Sequence, residues 1–372
     1  MSTKLDAVIA GGGPAGCALA ILLAQQGRTV ELIEKSTHAD NKVCGEFYSN
    51  ETVQYLKFLG IDLHSMGALP IASVRLARKR VIAECELPFL GLSLPRRIVD
   101  EALLERAYAV EARLIRGKNV EALQHREDAW VFRCSDGSEH TATEAFIATG
   151  KHDLRGWKRD SGKQNDLVAF KMYFALSSTQ GDALKHCVEL ILFPGGYAGL
   201  QLVEPGVANL SLLIRRTIFH KCGAGWPAVL AHVKTHSPHL CDRLTGAMAL
   251  LEKPLALSSI PYGYHRSTKG IAPWCLGDQC AVVPSFTGDG MAIALHSAHV
   301  AAGYFLSGHT SSDFHAEFRR QMRAPIQTAD FFSRLMMEVP MLTYGLRIYP
   351  ETMAWITRRT RIPEQFCTAS WM

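Results

Sequence analysis

The sequence predicts an α/β protein with three parts: a Rossmann-like βαβ lobe, an inserted and mostly antiparallel β-sheet lobe, and a helical C-terminal region. Three observations predict it. Val8-Ile9-Ala10-Gly11-Gly12-Gly13-Pro14-Ala15-Gly16 carries G-x-G-x-x-G between an apolar strand and an apolar helix. Residues 167–215 hold four strand-length runs, the later ones separated by Pro194-Gly195-Gly196 and Glu204-Pro205-Gly206. Residues 311–372 are helical in pattern, with arginines set among apolar side chains.

The glycine motif is supported by everything around it. A strand at 7–10 runs in, a helix at about 15–26 runs out and stops at Gly27, and a second strand follows at 29–34. Gly11 permits the tight turn, Gly13 admits a pyrophosphate to the backbone, and Gly16 lets helix and strand pack closely. The helix N-terminus offers free N–H groups and a positive dipole end to phosphates. Glu34 ends the second strand at the roughly 20-residue spacing of the ribose-binding acid. Its carboxylate would accept from ribose hydroxyls and repel a 2′-phosphate, which disfavours NADP at this site.

Composition sets bounds. A chain of 372 residues exceeds one ordinary domain. At 48% hydrophobic and 20% charged it can bury a sizeable core. A net charge of +5, without a Lys/Arg run or aromatic–basic alternation, gives no nucleic-acid signature. Ten scattered cysteines and no signal peptide fit reduced thiols and a cytoplasmic location. No apolar run reaches membrane-spanning length.

The remaining elements follow in order. A polar loop, 35–41, leads to Lys42-Val43-Cys44-Gly45-Glu46-Phe47, then a helix at 50–59. Short strands are expected at 72–79 and 81–87. Pro95-Arg96-Arg97 precedes a helix at 99–109, with Leu103, Leu104 and Ala107 on one face. Arg96 could reach a phosphate or belong to a solvated basic turn. Runs 114–123 and 129–134 read as a hairpin, and 144–150 as an apolar strand returning beside the first. After the four strands of the second lobe, helices are expected at 227–234 and 238–249. Leu190, Leu192, Leu200 and Leu202 alternate and could line an apolar cavity or fill the lobe core. A second glycine-rich element, Gly277-Asp278 to Gly290-Met291, opens a long apolar helix, 291–306, and offers another anion site. Pro325, Pro340, Pro350 and Pro363 divide the C-terminal helices. The expected partition is a discontinuous dinucleotide lobe (1–68, 95–165, 270–310), a sheet lobe (69–94, 166–269) and a helical region (311–372).

Taken in order, Gly11-x-Gly13-x-x-Gly16, Glu34, Arg96, Ala148-Thr149-Gly150 and Gly277-Asp278 with Pro284-x-x-x-Gly288-x-Gly290 resemble an FAD-dependent superfamily. That superfamily contains the p-hydroxybenzoate-hydroxylase-type monooxygenases and the geranylgeranyl reductases, with the related flavin halogenases. The resemblance covers about residues 1–310. It implies FAD contacts from Gly11, Gly13, Pro14, Ala15, Gly16, Glu34, Lys35, Cys44, Gly45, Arg96, Val120, Thr149, Gly150, Gly277, Asp278, Pro284, Gly288, Asp289, Gly290 and Met291. Asp278 falls at the ribityl chain, Val120 by the adenine, and the N–H groups near 288–291 at the flavin N1/O2 edge. Two departures and one closer likeness matter. Thr149 stands where hydroxylases carry an Asp that serves both FAD and the nicotinamide donor, which counts against direct NADPH use and leaves NAD(P)H or an external reductase open as the electron donor. The W-x-W-x-I-P element of tryptophan halogenases is absent. Cys44-Gly45 is similar to the cysteine-glycine loop of the prenyl reductases.

Cys44, Glu46 and His296 are the candidate catalytic groups, with Tyr48 nearby in sequence. Cys44 could instead be a small buried residue and Glu46 a helix-start acid. His232, His236, His239 and Cys241 have ligand-like spacing, but Ser237-Pro238 breaks the run, and no metal is expected. Three functions are in view, the first of them the leading expectation and the other two its alternatives. They are monooxygenation of an aromatic or lipophilic, polyketide-like substrate; reduction of an isoprenoid or other alkene; and a non-catalytic flavoprotein that binds a partner. The substrate could be free, or bound to a carrier or a protein. The arginine-bearing C-terminal helices could make peripheral membrane contact.

Overall fold

The computed structural model describes residues 5–268, 270–338 and 342–368. The chain opens with β1 (Leu5–Ala10), α1 (Pro14–Gln25) and β2 (Val30–Glu34). β3 (Phe47–Tyr48) and α2 (Asn50–Phe58) follow, the helix capped by Ser49 Oγ accepting from the Thr52 N–H. Next come β4 (Leu69–Arg78), β5 (Val81–Ser93), α3 (Arg96–Ala109) and β6 (Arg113–Arg116). β7 (Val120–Arg126), β8 (Ala129–Cys134) and β9 (Glu139–Ile147) complete this part.

The first sheet runs β6-β2-β1-β9-β8-β7. Its β6, β2, β1 and β9 are mutually parallel, with Ala10 opposite both Ile33 and Ile147. α1 is apolar all round because it is enclosed by this sheet, α3 and the later helix over Gly290–Leu306. Gly117, with φ at +78°, breaks the expected strand 114–123 in two. Its first part stays at the parallel edge, and its second pairs with β8.

The second sheet contains β10 (Leu167–Ala175), β11 (His186–Phe193), β12 (Gly196–Glu204) and β13 (Val207–Arg215). α4 (Ser178–Ala183) lies between β10 and β11, and α5 (Arg216–Lys221), α6 (Trp226–His236) and α7 (Pro238–Arg243) follow β13. β14 (Met248–Ala249) and β15 (Leu255–Ser258) both pair with β10. The helix expected at 238–249 therefore stops early. The chain turns at Gly246, with φ at +71°, and joins the sheet. Strands β4 and β5 also belong here and are longer than expected, giving the order β14-β10-β13-β12-β11-β4-β5-β3.

β16 (Trp274–Cys275) returns to β9 in the first sheet and leads to α8 (Gly290–Leu306). The C-terminal helices are α9 (Ser311–Glu338), α10 (Leu342–Ile348), α11 (Glu351–Arg359) and α12 (Glu364–Thr368). Pro325 lies inside α9 and does not divide it. The helix buries Phe314, Phe318, Met322, Ile326 and Ala329 at helical spacing. That burial outweighs the one backbone bond a proline removes. Pro340 lies outside the described residues.

Both faces of the second sheet are covered. Met172, Ile191, Leu200 and Leu212 pack under Val229, Val233 and Leu240 of α6 and α7. On the other face Leu76, Leu192, Tyr197 and Leu213 lie against Met336, Leu346 and Met353 of the C-terminal helices. This second face looks toward the glycine-rich turns of the first lobe.

Candidate active site

A cavity of about 1170 Å³ runs from the β1–α1 turn to the second sheet. It exceeds the ~300–1,000 Å³ of a single drug-sized ligand site. At one end stand Gly11, Gly13, Pro14 and Ala15, with Glu34 and Lys35 beside them. A side chain on Gly16 would overlap the Gly11 carbonyl, so Gly16 supports the turn from behind and does not line the cavity. A Cβ on Gly13 would meet nothing and project into open space. Glu34 accepts from the Gly12 N–H at 2.7 Å and the Ser36 N–H at 3.0 Å. Its carboxylate is thereby fixed at the cavity wall.

The other expected groups distribute as follows. Val120, Thr149, Gly150, Gly277 and Asp278 line the cavity. Arg159 donates to the Asp278 carbonyl at 2.9 Å, holding that turn. Arg96 lines the cavity too, but its guanidinium makes a bidentate pair with Asp100 at 2.9 Å on both arms. Its charge is matched within the protein, so a phosphate is not needed to explain it. Gly288, Gly290 and Met291 line the cavity, whereas Pro284 and Asp289 do not. The Asp289 carboxylate turns away to Arg361 at 2.8 Å and gives no cap to α8. The start of α8 therefore presents free N–H groups and its positive dipole end to the cavity. Burial pushes the Asp289 carboxyl up to about 7, against the lowering pull of Arg361.

Cys44, Gly45 and Glu46 lie where the two lobes meet, and all three line the cavity. Glu46 is fully buried with φ at +63°, a backbone state that a non-glycine residue holds only under constraint. The constraint is visible. Its carboxylate receives the Arg96 N–H at 2.7 Å, the Tyr173 hydroxyl at 2.8 Å and Asn209 Nδ2 at 2.9 Å. Lys171 Nζ completes the set at 2.6 Å. Asn209 Nδ2 also donates to the Cys44 and Gly45 carbonyls, and Ser211 Oγ to the Cys44 carbonyl. With three hydrogen bonds and one ion pair on its carboxylate, Glu46 is engaged as an anchor for this loop, in place of the free acid or base the sequence suggested. Lys171 is fully buried, and that burial lowers its pKa against the opposing pull of Glu46.

Lys171, Tyr173, Asn209 and Ser211 escaped the reading of the sequence. The signal was present: Leu167-Val168-Ala169-Phe170-Lys171-Met172 puts one lysine inside an otherwise apolar strand, where an unpaired charge is costly.

Beyond this junction the cavity becomes apolar, walled by Val74, Leu76, Leu190, Leu257, Ile260 and Phe286. The hydroxyls of Tyr197 and Tyr262 meet Ser285 Oγ at 3.2 and 2.9 Å. Burial pushes the Tyr197 phenol up to about 12. The four alternating leucines divide. Leu190 and Leu192 face this side, while Leu200 and Leu202 pack on the helix side. Both faces of the sheet are apolar, so alternation alone could not mark the cavity face.

His296 is a correction. It is fully buried in α8 away from the cavity, with Nδ1 at 2.7 Å from the Tyr55 hydroxyl and Nε2 at 2.6 Å from Gln321 Oε1. The glutamine oxygen only accepts, so Nε2 carries the proton and Nδ1 accepts from Tyr55. Burial pushes its pKa down to about 4. It is a satisfied core histidine. Tyr48 is likewise buried in the core. Among the described residues no group of three or more His, Cys, Asp or Glu side chains could hold a metal. His239 instead joins Arg243 on Glu189, at 2.8 and 2.9 Å.

These features fit FAD. Gly13, Gly45, Gly150 and Gly290 leave open space where a side chain would stand, along the cavity's length. Two helix N-termini without side-chain caps bracket the glycine-rich turns. Residues 4–145 match the model of the FAD binding domain family. A menaquinone reductase of Mycolicibacterium smegmatis is 25% identical over 332 residues, 83% of this chain and 78% of that protein. Among solved structures, the flavin-dependent brominase Bmp2 superposes with a TM-score of 0.77 at 16% identity, covering 99% of this chain and 98% of that one. A flavoprotein/dehydrogenase from Cytophaga hutchinsonii gives 0.76 at 14% identity, with 99% and 98% covered. These two are likenesses of fold. Residues 4–145 thus carry an FAD binding domain, and the chain is an FAD-dependent oxidoreductase similar in sequence to menaquinone reductases and in fold to flavin-dependent halogenases.

Proposed function

We propose that the chain reduces a carbon–carbon double bond in a lipophilic, isoprenoid-type substrate. The apolar chamber carries this reading. Its aliphatic wall offers an extended hydrocarbon a dry site that is continuous with the cofactor cradle. The Cys44-Gly45 loop and the relatives named menaquinone reductases support it. Bound and reduced, FAD supplies a hydride equivalent. The protein's own part is to bind the hydrocarbon, exclude water and provide the second hydrogen as a proton. The Cys44 thiol lines the cavity at the junction of cradle and chamber and is assigned that proton in this reading. The electron donor in this reading is NAD(P)H or a separate reductase.

A second reading, oxygen insertion into an aromatic substrate, is favoured by one observation. The hydroxyls of Tyr197, Tyr262 and Ser285 form a polar point in the otherwise apolar chamber and would orient a phenol. One experiment separates the two. Pre-reduced holoprotein is mixed anaerobically with polyprenyl alkenes, and in parallel with labelled dioxygen and alkylated phenols. Reoxidation of the flavin without oxygen, with a product two hydrogens heavier, is expected. Label in the product, with no anaerobic reoxidation, would establish oxygen insertion instead.

A further inference from the structure

The geometry points to a docking surface for an anionic lipid bilayer on the outer face of α10, α11 and the end of α9. Five of the twelve exposed large hydrophobic side chains among the described residues fall between 331 and 355. They are Phe331, Tyr344, Ile348, Tyr349 and Trp355, with Ile348 69% and Tyr349 64% exposed. Such clustering is unlike the single scattered apolar residues of an ordinary surface. The aromatics are joined: Phe331 contacts Phe332, and Phe332 contacts Trp355.

Charge selects the occupant. Across the end of α9, α10 and α11 the charged residues are Arg334, Arg347, Arg358 and Arg359 against Glu338 and Glu351, and Glu338 is paired with Arg215. The four arginines are exposed, and Arg359 lies 5.7 Å above the Trp355 ring. A belt of aromatic and aliphatic side chains interleaved with arginines suits the headgroup region of an anionic membrane. No described helix is long and apolar enough to cross a membrane, so the contact is peripheral.

The opposite faces of the same helices give the surface a purpose. Leu346, Met353 and Ile356 line the apolar chamber. One layer of helix, about 10 Å thick, separates the bilayer-facing side chains from the cavity. A lipophilic substrate would then pass from bilayer to chamber around α10 and α11 without crossing water. The docking geometry does not depend on the reaction proposed above; only this use of it rests on a lipophilic substrate.

The test uses purified holoprotein and no substrate, so its outcome is separate from that of the reaction. Flotation is measured with phosphatidylcholine vesicles, with and without phosphatidylglycerol, at low and high salt. Binding to the anionic vesicles that weakens with salt is expected. R358Q/R359Q should weaken partition roughly thirtyfold, from about a factor of five per basic residue near the surface. I348S/W355S should abolish flotation while leaving flavin absorbance and the thermal midpoint unchanged. The inference is overturned if wild type stays out of the anionic vesicle fraction, or if both variants float as wild type does. Self-association that W355S removes, without vesicle binding, would make this face an interface between copies and also overturn it.

Discussion

The Lys171–Glu46 pair sets the most direct test of how this site is held. Both side chains are fully buried, and the contact is 2.6 Å. Replacing Lys171 by Met leaves the carboxylate in place without its counter-charge. Breaking a buried pair this way costs about 3–5 kcal/mol. The lower end applies here, because the Arg96 N–H, Tyr173 and Asn209 still donate to Glu46. A loss of about 3 kcal/mol should lower Tm by on the order of 4 °C in a chain of 372 residues. The double variant K171M/E46Q removes the stranded charge and should recover about half of that loss, since an apolar or neutral replacement of a whole pair is well tolerated. Flavin release on heating and far-ultraviolet circular dichroism read the transition. The reasoning fails if K171M melts with wild type, or if the double variant is no better than the single one.

Proton linkage adds a second readout to the same variant. Burial lowers the Lys171 pKa in the folded state below the ordinary lysine value of 10.5. Between the two values the unfolded chain binds more protons, so the stability of the wild type rises with pH across that window. Met at this position removes the slope. The stability difference between wild type and K171M should therefore grow as pH approaches 10.5.

Three further outcomes follow from the cofactor end. Gly13→Val should fold normally, since a Cβ at this position meets no protein atom within 4 Å, yet retain no flavin after gel filtration. Glu34→Ala should weaken FAD binding to the apoprotein by about 1–3 kcal/mol, the scale of hydrogen bonds to a charged group. Fluorescence titration measures it, and an unchanged Kd would assign the carboxylate to the Gly12 and Ser36 N–H groups alone. Asp289→Asn should flatten the pH dependence of stability in the acid range. The folded carboxyl, raised to about 7, keeps a proton that the unfolded chain has lost from 3.8 upward. Wild-type stability therefore falls as pH rises between those values, and denaturant titrations at both ends of the window show whether Asn removes the fall.

The parts of this molecule legible in its sequence are those fixed by neighbours in the chain. The βαβ unit, the strands 167–215 and the helix opening at Gly290 all rest on local glycine chemistry and period. What escaped depends on contacts between distant segments. Gly117 divides a run that reads as one strand, because its positive φ matters only once β6 and β7 have different partners. Pro325 reads as a break, but the burial of Phe318, Met322 and Ile326 carries α9 through it. His296 reads as a polar group beside the cofactor loop, yet helical phase turns it to Tyr55 and Gln321. Arg361 reads as one basic residue among several and proves to be buried on Asp289 and Glu51.

Those two hidden pairs share a logic. The cavity is flanked by two backbone stretches, Cys44-Gly45 and Gly288 to Met291, that offer amides and open space instead of reactive charge. Glycine-rich backbone of this kind has no side chains with which to fix itself. Each stretch is therefore held from outside by a buried ion pair: Lys171 of the second sheet on Glu46, and Arg361 of the C-terminal segment on Asp289. Arg361 also lies 3.9 Å above the Phe89 ring of β5, which ties the C-terminal segment to the second sheet. Desolvating two pairs is costly and adds little net stability. Their return is positional: the cavity walls on both sides of the cofactor cradle are fixed by charges that are matched within the protein, as a preorganised site requires. On this argument Arg361→Ala should loosen the start of α8 and weaken flavin binding although Arg361 carries no FAD-binding motif. Rescue by Arg361→Lys, which keeps the charge on Asp289 while losing the planar fork, should be partial. Flavin affinity that is the same in Arg361→Ala and wild type would show that α8 needs no such anchor.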